Sequence, residues 1–282
     1  MGTLFVVATP IGNLNDFSPR AVEILKSCDV ILAEDTRQTI KLLNHFNIKN
    51  KMESYHKFNE IKKSDLIIEK LKLGKQIALV SDAGTPCISD PGYILVKKAR
   101  ENEINVIGIP GCSAVITALS ICGLDTSSFT FYGFVPTENK QKKELFESIK
   151  TSSIRTKVVY ESPKRILSLL EYINEQIPNS FVCVCSELTK IHEKCIYGKI
   201  DEVYKKMKTD ESSNKGEYVV IISNEAQKDI KEDACIEALL VNKMVKNNCS
   251  LKEAINKVKE ENKSLNKKDI YNASLNLKLR LK

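Results

Sequence analysis

Residues 77–92 read IALVSDAGTPCISDPG, and this stretch decides the fold class. It begins with a short run, Ile77–Ser81, that is apolar on both faces, as in a strand of a sheet covered by helices on both sides. The Gly- and Pro-containing segment that follows is typical of a loop. The stretch therefore predicts a buried parallel strand whose carboxyl end leads into a polar loop.

The first 120 residues, in which this stretch lies, alternate strand and helix patterns. A proline at position 19 behind Ser18 marks a well-signalled helix start. The predicted strands are Leu4–Ala8, Val30–Ala33, Ile77–Ser81 and Val106–Ile109, and the predicted helices are Pro19–Ser27, Thr36–Phe46, Lys62–Leu73, Gly92–Glu101 and Ser113–Ile121. This order predicts an open α/β domain.

The second half contains several consecutive strands, which indicates a mixed α/β domain. The predicted strands are Phe129–Phe134, Val158–Glu161, Phe181–Cys185, Lys194–Tyr197 and Tyr218–Ser223, and the predicted helices are Asn139–Ile149, Lys164–Gln176 and Asp201–Met207. A linker is expected near Gly123–Ser128. We therefore predict domains at 1–123 and 124–225, followed by a basic helical appendage at 226–282 whose Ser250 and Glu253 form a capping box.

Composition and charge narrow the function classes. No apolar run approaches the about 20 residues that a membrane helix needs, and the N-terminal residues lack the pattern of a signal peptide. Nine cysteines without a CxxC pair indicate small hydrophobic residues in a reducing cytoplasm. The net charge is +7, of which residues 226–282 carry +5, from 13 Lys or Arg against 8 Asp or Glu. This asymmetry favours an anionic partner, with nucleic acid ahead of a membrane.

Three loops at strand ends carry the chemistry. They are TPIGNL (9–14), SDAGTPCISDPG (81–92) and PGCSA (110–114). In an open α/β sheet, ligands bind outside the carboxyl ends of the strands, so these loops are expected to line one crevice. The free amides at the start of the helix after Ser113 favour a carboxylate or a phosphate.

Several familiar sites are absent from the sequence. It contains no GxG fingerprint for dinucleotides, no P-loop and no GxSxG elbow. Its three histidines, at 45, 56 and 192, lack the spacing of a metal site. We therefore expect no metal, and hydride transfer, nucleotide hydrolysis and zinc or serine hydrolysis all lose support.

Nine blocks together resemble one enzyme family. They are VATPIGNLND (7–16), AEDTR (33–37), HKFNE (56–60), SDAGTPCISDPG (81–92), PGCSA (110–114), GF (133–134), YESPKR (160–165), SELTK (186–190) and KGE (215–217). In order and spacing they are similar to those of the ribosomal RNA small-subunit 2′-O-ribose methyltransferases, which belong to the tetrapyrrole-methylase-like, class III methyltransferases. Cys87, Cys112 and Lys164 depart mildly from the pattern.

The resemblance implies two α/β domains with S-adenosylmethionine in the cleft between them, and no metal. It also implies a homodimer that acts on a decoding-region cytidine of 16S rRNA, with free rRNA and the assembled 30S ribosomal subunit both open as the substrate. Together with the cysteine usage, this predicts a cytoplasmic protein. The implied cofactor-binding residues are Pro10, Gly12, Ser81, Asp82, Gly84, Thr85, Pro86, Gly111, Ser113, Ala114, Glu161, Val219 and Val220. For Asp82 an Asx turn within its own loop is the alternative role.

Two blocks supply candidates for substrate contact or catalysis, because a ribose hydroxyl needs a group that takes its proton. The candidates are Asp35, Arg37, His56, Asn59 and Glu60. A local ion pair between Asp35 and Arg37, a helix N-terminal charge at Glu60 and a surface histidine are the alternative roles. Positive charge for RNA phosphates is expected from Lys164, Arg165, Lys190 and Lys215.

Two other functions stay open. One is methylation of a tetrapyrrole or of a protein residue by the same fold, against which the basic appendage and the AEDTR and HKFNE blocks argue. The other is a non-catalytic RNA-binding assembly factor, which the three intact ligand loops disfavour.

Overall fold

The computed structural model describes residues 1–210, 216–224, 236–247, 249–261 and 266–280. The chain forms two compact units, residues 1–225 and 226–282. No helix in these described ranges is both long enough and apolar enough to cross a membrane. The division of the first unit at residues 123/124 stays a prediction.

The first sheet is parallel throughout, with strand order β3-β2-β4-β1-β5. Its strands are β1 (Thr3–Val7), β2 (Val30–Ala33), β3 (Met52–Ser54), β4 (Ile77–Val80) and β5 (Asn105–Ile109), and its helices are α1 (Pro19–Ser27), α2 (Thr36–His45), α3 (Glu60–Lys72), α4 (Tyr93–Glu101) and α5 (Ala114–Ile121). Val7 pairs with Val80 on one side and Ile109 on the other. The loops after β1, β4 and β5 therefore leave the sheet side by side.

Helices cover both faces of this sheet, as the apolar strand runs predict. On one face, α1 and α2 bury Leu25 and Leu43 against Ile31 and Val80. On the other face, α3 and α4 bury Leu71 and Leu95 against the alternate residues of the strands, whose side chains point to that face. The doubly covered α/β sheet predicted from the sequence is confirmed.

The second sheet is mixed, with strand order β6-β7-β10-β8-β9. Its elements are β6 (Phe129–Phe134), α6 (Asn139–Thr151), β7 (Thr156–Glu161), α7 (Ile166–Gln176), β8 (Phe181–Ser186), β9 (Lys194–Lys199), α8 (Ile200–Lys208) and β10 (Tyr218–Ser223). Only β6 and β7 run parallel, while β10 pairs antiparallel with both of its neighbours.

The two faces of the second sheet have different partners. Val220 and its face pack against α6, α7 and α8. Val219 and Ile221 pack against Val115 and Leu119 of α5 in the first half. This contact through α5 places the ends of the second-sheet strands beside the loops of the first sheet.

Residues 226–282 form a helical unit with its own core. Its helices are α9 (Ile236–Asn247), α10 (Leu251–Glu261) and α11 (Lys267–Arg280). Leu240, Ala254, Val258 and Ile270 are buried together in this core. The predicted capping box is present at the start of α10, where the Ser250 N–H donates to Glu253 Oε2 at 2.8 Å.

Candidate active site

Three loops of the first sheet are tied together by hydrogen bonds. Thr9 and Gly84 exchange backbone hydrogen bonds of 2.9 and 3.1 Å. Thr9 Oγ1 donates to the Ser81 carbonyl at 3.1 Å, and Thr85 Oγ1 donates to the Cys112 carbonyl at 2.9 Å. The loops after β1, β4 and β5 thus form one continuous wall.

This wall borders a cavity of about 310 Å³. Residues of both sheets line it, so the site is built by the whole first unit and not by one sheet. The lining residues are Ile11, Glu34, Asp82, Ala83, Gly84, Thr85, Ile88, Ser89, Asp90, Ser113, Ala114, Phe134, Tyr160, Glu187, Leu188, Lys190 and Glu217.

Carboxylates dominate the polar part of the cavity. Burial, and then repulsion from Asp90, Asp82 and Asp35, raises the pKa of Glu34 to about 7. Burial, and then repulsion from Asp82 and Glu217, raises the pKa of Asp90 to about 6. Burial is likewise the main cause of the raised pKa of Asp82. A cation in the cavity would relieve this repulsion.

Other parts of the cavity suit a neutral ring and an anion. The rings of Phe134 and Tyr160 meet edge to face, with centroids 5.3 Å apart, and both line the cavity. Ser113 caps α5 by accepting a hydrogen bond from the Ile116 N–H. Because the first N–H groups of a helix lack partners within it, the start of α5 offers donors at the cavity edge.

The first loop also contacts the second sheet. The Asn13 N–H donates to Thr189 Oγ1 at 3.0 Å. A Cβ atom at Gly12 would lie 2.5 Å from Lys190 Cγ and 2.9 Å from Thr189 Oγ1. Glycine at position 12 therefore permits a close approach of the two halves, next to the cavity rather than within it.

Five of the thirteen predicted cofactor-binding residues line the cavity: Asp82, Gly84, Thr85, Ser113 and Ala114. The other eight, Pro10, Gly12, Ser81, Pro86, Gly111, Glu161, Val219 and Val220, lie outside the lining. Some of these support the wall. Gly111 is one, since a Cβ there would lie 2.9 Å from the Ala8 side chain.

Glu161 and Arg165 form an ion pair whose carboxylate is buried and whose guanidinium is half-buried. Glu161 is 2% exposed, and its Oε1 accepts from the Ser162 N–H at 2.7 Å and lies 2.6 Å from Arg165 Nη2. Arg165 also donates to the Val135 carbonyl. The structure thus gives both residues a role in holding the turn between β7 and α7.

The remaining residues predicted to bind RNA have different surroundings. Lys190 lines the cavity, and its Nζ lies 2.8 Å from Glu187 Oε1. Lys164 is exposed. Lys215 lies outside the described residues.

Asp35 and Arg37 form the local ion pair at the start of α2. Asp35 caps the helix by accepting from the Arg37 N–H, and Arg37 Nη2 lies 2.7 Å from Asp35 Oδ2. This pairing lowers the pKa of Asp35 to about 2. Neither side chain lines the cavity, and that of Arg37 is 87% exposed.

His56 and Asn59 lie in the turn before α3 and Glu60 is the first residue of α3, all three outside the cavity lining. Asn59 Oδ1 accepts from the His56 N–H at 2.9 Å, and Glu60 Oε2 accepts from the Gly92 N–H at 3.3 Å. Among the described residues, the buried Nδ1 of His56 has no hydrogen-bond partner. This turn therefore supports the end of the Asp82 loop.

Sequence reasoning missed several of the residues that face the cavity. Glu34, Asp90, Phe134, Tyr160 and Glu217 all stand in the quoted blocks but were not singled out. Glu34 comes directly after a buried strand and Glu217 directly before one, and that position was the available signal. In the sequence, Asp35 attracts attention ahead of its neighbour Glu34 only because it stands at the start of a helix.

A cysteine cluster differs from the expectation that the cysteines act only as small hydrophobic thiols. Cys185 and Cys195 are cross-strand partners in β8 and β9 and are joined as a disulfide. Together with Cys183, their sulfur atoms lie within 4.8 Å of one another. Three sulfurs this close form a soft-metal ligand set only when the Cys185–Cys195 bond is reduced to two thiols, because the thiolate is the metal ligand. The sequence analysis expected neither the disulfide nor the ligand set. They lie outside the cavity lining.

Comparison with known proteins agrees with this geometry. The family model for tetrapyrrole (corrin/porphyrin) methylases matches residues 3–204. Ribosomal RNA small subunit methyltransferase I of Halalkalibacterium halodurans is 43% identical over 275 residues, which cover 96% of this chain and 94% of that protein. The protein of the same name from Escherichia coli O157:H7 is 42% identical, over 90% of this chain and 88% of its own length.

Solved structures share the fold at low identity. Diphthine synthase superposes with a TM-score of 0.62 at 13% identity, over 79% of this chain and 90% of its own. Uroporphyrin-III C-methyltransferase from Thermus thermophilus, complexed with S-adenosylhomocysteine, gives a TM-score of 0.53 at 16% identity, over 79% and 98%. The family match covers most of both sheets, and the identity extends over nearly the whole chain. This chain is therefore a member of the tetrapyrrole methylase family and, within it, of the ribosomal RNA small subunit methyltransferase I group.

Proposed function

We propose that the chain methylates the 2′-hydroxyl of a cytidine ribose in the decoding region of 16S rRNA, with S-adenosylmethionine as the methyl donor. The observation that carries this proposal is the 43% identity, over 96% of the chain, to a protein named for small-subunit rRNA methylation. The cavity between the two sheets supports the choice of donor.

The residues present fit S-adenosylmethionine. The carboxylates of Glu34, Asp82 and Asp90 suit a ligand that carries a sulfonium and an ammonium. The amides at the start of α5 suit its carboxylate. The apolar and aromatic wall with Phe134 and Tyr160 suits its adenine.

S-adenosylmethionine, when bound, supplies a methyl group on a positively charged sulfur, which is already a strong electrophile. The chain must mainly position the hydroxyl and the donor, a contribution of roughly 7–11 kcal/mol in well-oriented reactions. The second task is to accept the hydroxyl proton, and a carboxylate with a pKa near neutral suits it. Among the described cavity residues, Glu34 best meets this condition because its pKa is about 7.

Three further properties belong to this proposal. The substrate would be the 30S subunit or its 16S rRNA, and the compartment therefore the cytoplasm. The active form would be a homodimer, as the family resemblance implies. The exposed Lys164 and the basic residues of 226–282 would contact RNA phosphates.

One experiment tests the proposal directly. The purified protein is incubated with methyl-labelled S-adenosylmethionine and, in parallel, with unmodified 30S subunits, free 16S rRNA or a tetrapyrrole. The RNA is digested to nucleosides, which are separated to locate the label. We expect label in 2′-O-methylcytidine.

The other outcomes decide between the alternatives. Label on the tetrapyrrole alone would favour a small-molecule methylase of the same fold. Label on the cytosine base would refute 2′-O transfer and leave rRNA methylation standing. RNA binding without any label on any acceptor would favour the non-catalytic assembly factor.

A further inference from the structure

The cavity concentrates negative charge from separate parts of the chain. Glu34 follows β2, Asp82 and Asp90 belong to the loop after β4, and Glu217 precedes β10. A fifth carboxylate, Glu187, also lines the cavity and is paired with Lys190, the one lysine among the described lining residues. Within the part of the chain that the structure describes, the first four carboxylates thus line one volume of about 310 Å³, and the lysine beside them is paired with Glu187.

The surroundings of these groups explain their mutual repulsion. Glu34 is faced by Asp35, Asp82 and Asp90. Asp90 is faced by Asp82 and Glu217. The Arg37 guanidinium attracts Asp82 from outside, yet it is held by Asp35 and lies at the surface. Among the described residues, the charged groups that act on Glu34 and Asp90 are therefore all acidic.

We propose that Glu34 and Asp90 make this cavity selective for the sulfonium methyl donor over S-adenosylhomocysteine, the thioether product. This inference rests on the proposed function. The two ligands share adenine, ribose and amino-acid parts, so the contacts to those parts cancel in a comparison. They differ in one methyl group and one positive charge, and the charge is what a pair of repelling carboxylates recognises.

The same pair accounts for the charge balance of the transfer. The ribose O–H bond breaks as the O–CH₃ bond forms, the S–CH₃ bond breaks, and the sulfur keeps that electron pair. The released proton passes to the Glu34 carboxylate. Because the positive charge on sulfur disappears in this step, the repulsion between Glu34 and Asp90 returns and favours the protonated form. The net charge within the cavity is the same before and after transfer.

The direction in which pH changes the affinity for S-adenosylmethionine follows from the coupling of ligand binding to proton binding. In the ligand-free cavity Glu34 keeps its proton up to about pH 7 and Asp90 up to about pH 6. A sulfonium draws both toward their ordinary, lower pKa values, so it binds weakly in acid and more tightly as the pH rises. The product lacks the sulfonium and keeps only the ammonium that both ligands share, so its affinity should rise less over the same pH range.

Calorimetry of the full chain with each ligand, at pH 5.5 and at pH 7.5, tests the inference. We expect the affinity ratio of S-adenosylmethionine to S-adenosylhomocysteine to rise roughly 10- to 30-fold between these pH values. Glu34→Gln should lower the ratio at pH 7.5 and flatten its pH dependence, and Asp90→Asn should do so independently. Glu23→Gln removes one exposed carboxylate outside the cavity lining and should behave as the unchanged chain.

The outcomes separate this inference from the proposed function. Binding of both ligands with a pH-independent ratio would overturn the selectivity and leave the methyltransferase proposal standing. A chain that binds neither ligand would overturn both. Thermal melting shows that each variant is folded, and if Glu34→Gln does not fold, the Asp90→Asn result decides the matter.

Discussion

The backbone N–H of Asp35 donates a hydrogen bond to Oδ1 of Asp82 at 3.0 Å. This bond joins the segment after β2 to the loop after β4, although 47 residues separate the two positions. Asp82 lines the cavity as well. One carboxylate therefore both ties together the wall of the site and lines its cavity.

We expect Asp82→Ala to weaken binding of S-adenosylmethionine, because it removes a charged contact and loosens the neighbouring loop. The loss should be about 1.5–3 kcal/mol, or roughly ten- to hundred-fold in Kd. Calorimetry on the folded variant measures it. Asp35→Asn keeps the backbone N–H and is the matched control. Unchanged affinity in the Asp82 variant would remove this residue from the site.

Arg165→Ala should destabilise the protein, because it leaves the buried Glu161 carboxylate without its partner. Breaking a fully buried pair costs about 3–5 kcal/mol. Because Arg165 is 32% exposed and the Ser162 N–H still donates to Glu161, we expect a smaller loss of about 1–3 kcal/mol. Urea denaturation measures the change in the free energy of unfolding. The neighbouring Lys164→Ala removes an exposed charge and should leave stability unchanged while weakening RNA binding. The opposite pattern would assign the RNA contact to Arg165.

Arg37→Ala and His56→Ala test whether the AEDTR and HKFNE blocks, whose candidate residues lie outside the cavity lining, take part in methyl transfer. We expect both to lower methyl transfer to 30S subunits more than they lower cofactor affinity, since neither residue lines the cavity. An exposed pair such as Arg37–Asp35 contributes only about 0–1 kcal/mol to stability, so misfolding should not obscure the result. Wild-type turnover in both variants would make these residues purely structural.

The raised pKa of Glu34 predicts a pH-dependent stability in the absence of ligand. The unfolded carboxyl ionises near its ordinary value of 4.5 and the folded one at about 7. Between these values the folded state binds more protons, so stability falls as the pH rises through this window. Glu34→Gln should remove that fall and stabilise the protein at pH 8 by roughly 1–2 kcal/mol, after allowance for solvent screening. Urea denaturation at pH 5 and pH 8 would reveal the opposite sign if the carboxylate were stabilised by an unseen cation.

The helical unit 226–282 should contribute to RNA binding without affecting the cofactor. Its last seventeen residues hold five Lys or Arg against one Asp. If about four of its lysines meet phosphates, ending the chain after residue 225 should reduce the salt slope of RNA binding by about three. Binding to labelled 16S rRNA over a range of salt concentrations measures this. An unchanged slope, together with loss of the dimer or of thermal stability, would show that the unit packs on the rest of the protein instead.

Much of the fold could be predicted from apolar runs and caps. The Ile77–Ser81 run and the Ser18–Pro19 start correspond to β4 and α1. β3 (Met52–Ser54) was not predicted, because three residues of mixed polarity at a sheet edge carry no periodicity. α7 begins at Ile166 and not at Lys164, since the Arg165 N–H turns back to the Ser162 carbonyl.

The site was harder to predict than the fold. The loops around Asp82 and Ser113 can be recognised in the sequence by their glycine and proline residues. Glu34 and Glu217 lie 183 positions apart in the sequence and line the same cavity, in a fold where α5 of the first half packs against the second sheet. No local sequence pattern indicates that two residues so far apart will line one cavity. The repulsion that raises the pKa of Glu34 exists only in the folded protein.

The backbone hydrogen bonds between Thr9 and Gly84 have a consequence for how this fold diversifies. They join two loops of the cavity wall through the main chain, so binding of a ligand in the cavity need not create this pairing. The residues that recognise the methyl acceptor can then lie on surfaces outside this wall and can differ from one protein of this fold to another. The same fold appears in solved structures of proteins named for diphthine and for uroporphyrin, which share only 13% and 16% identity with this chain.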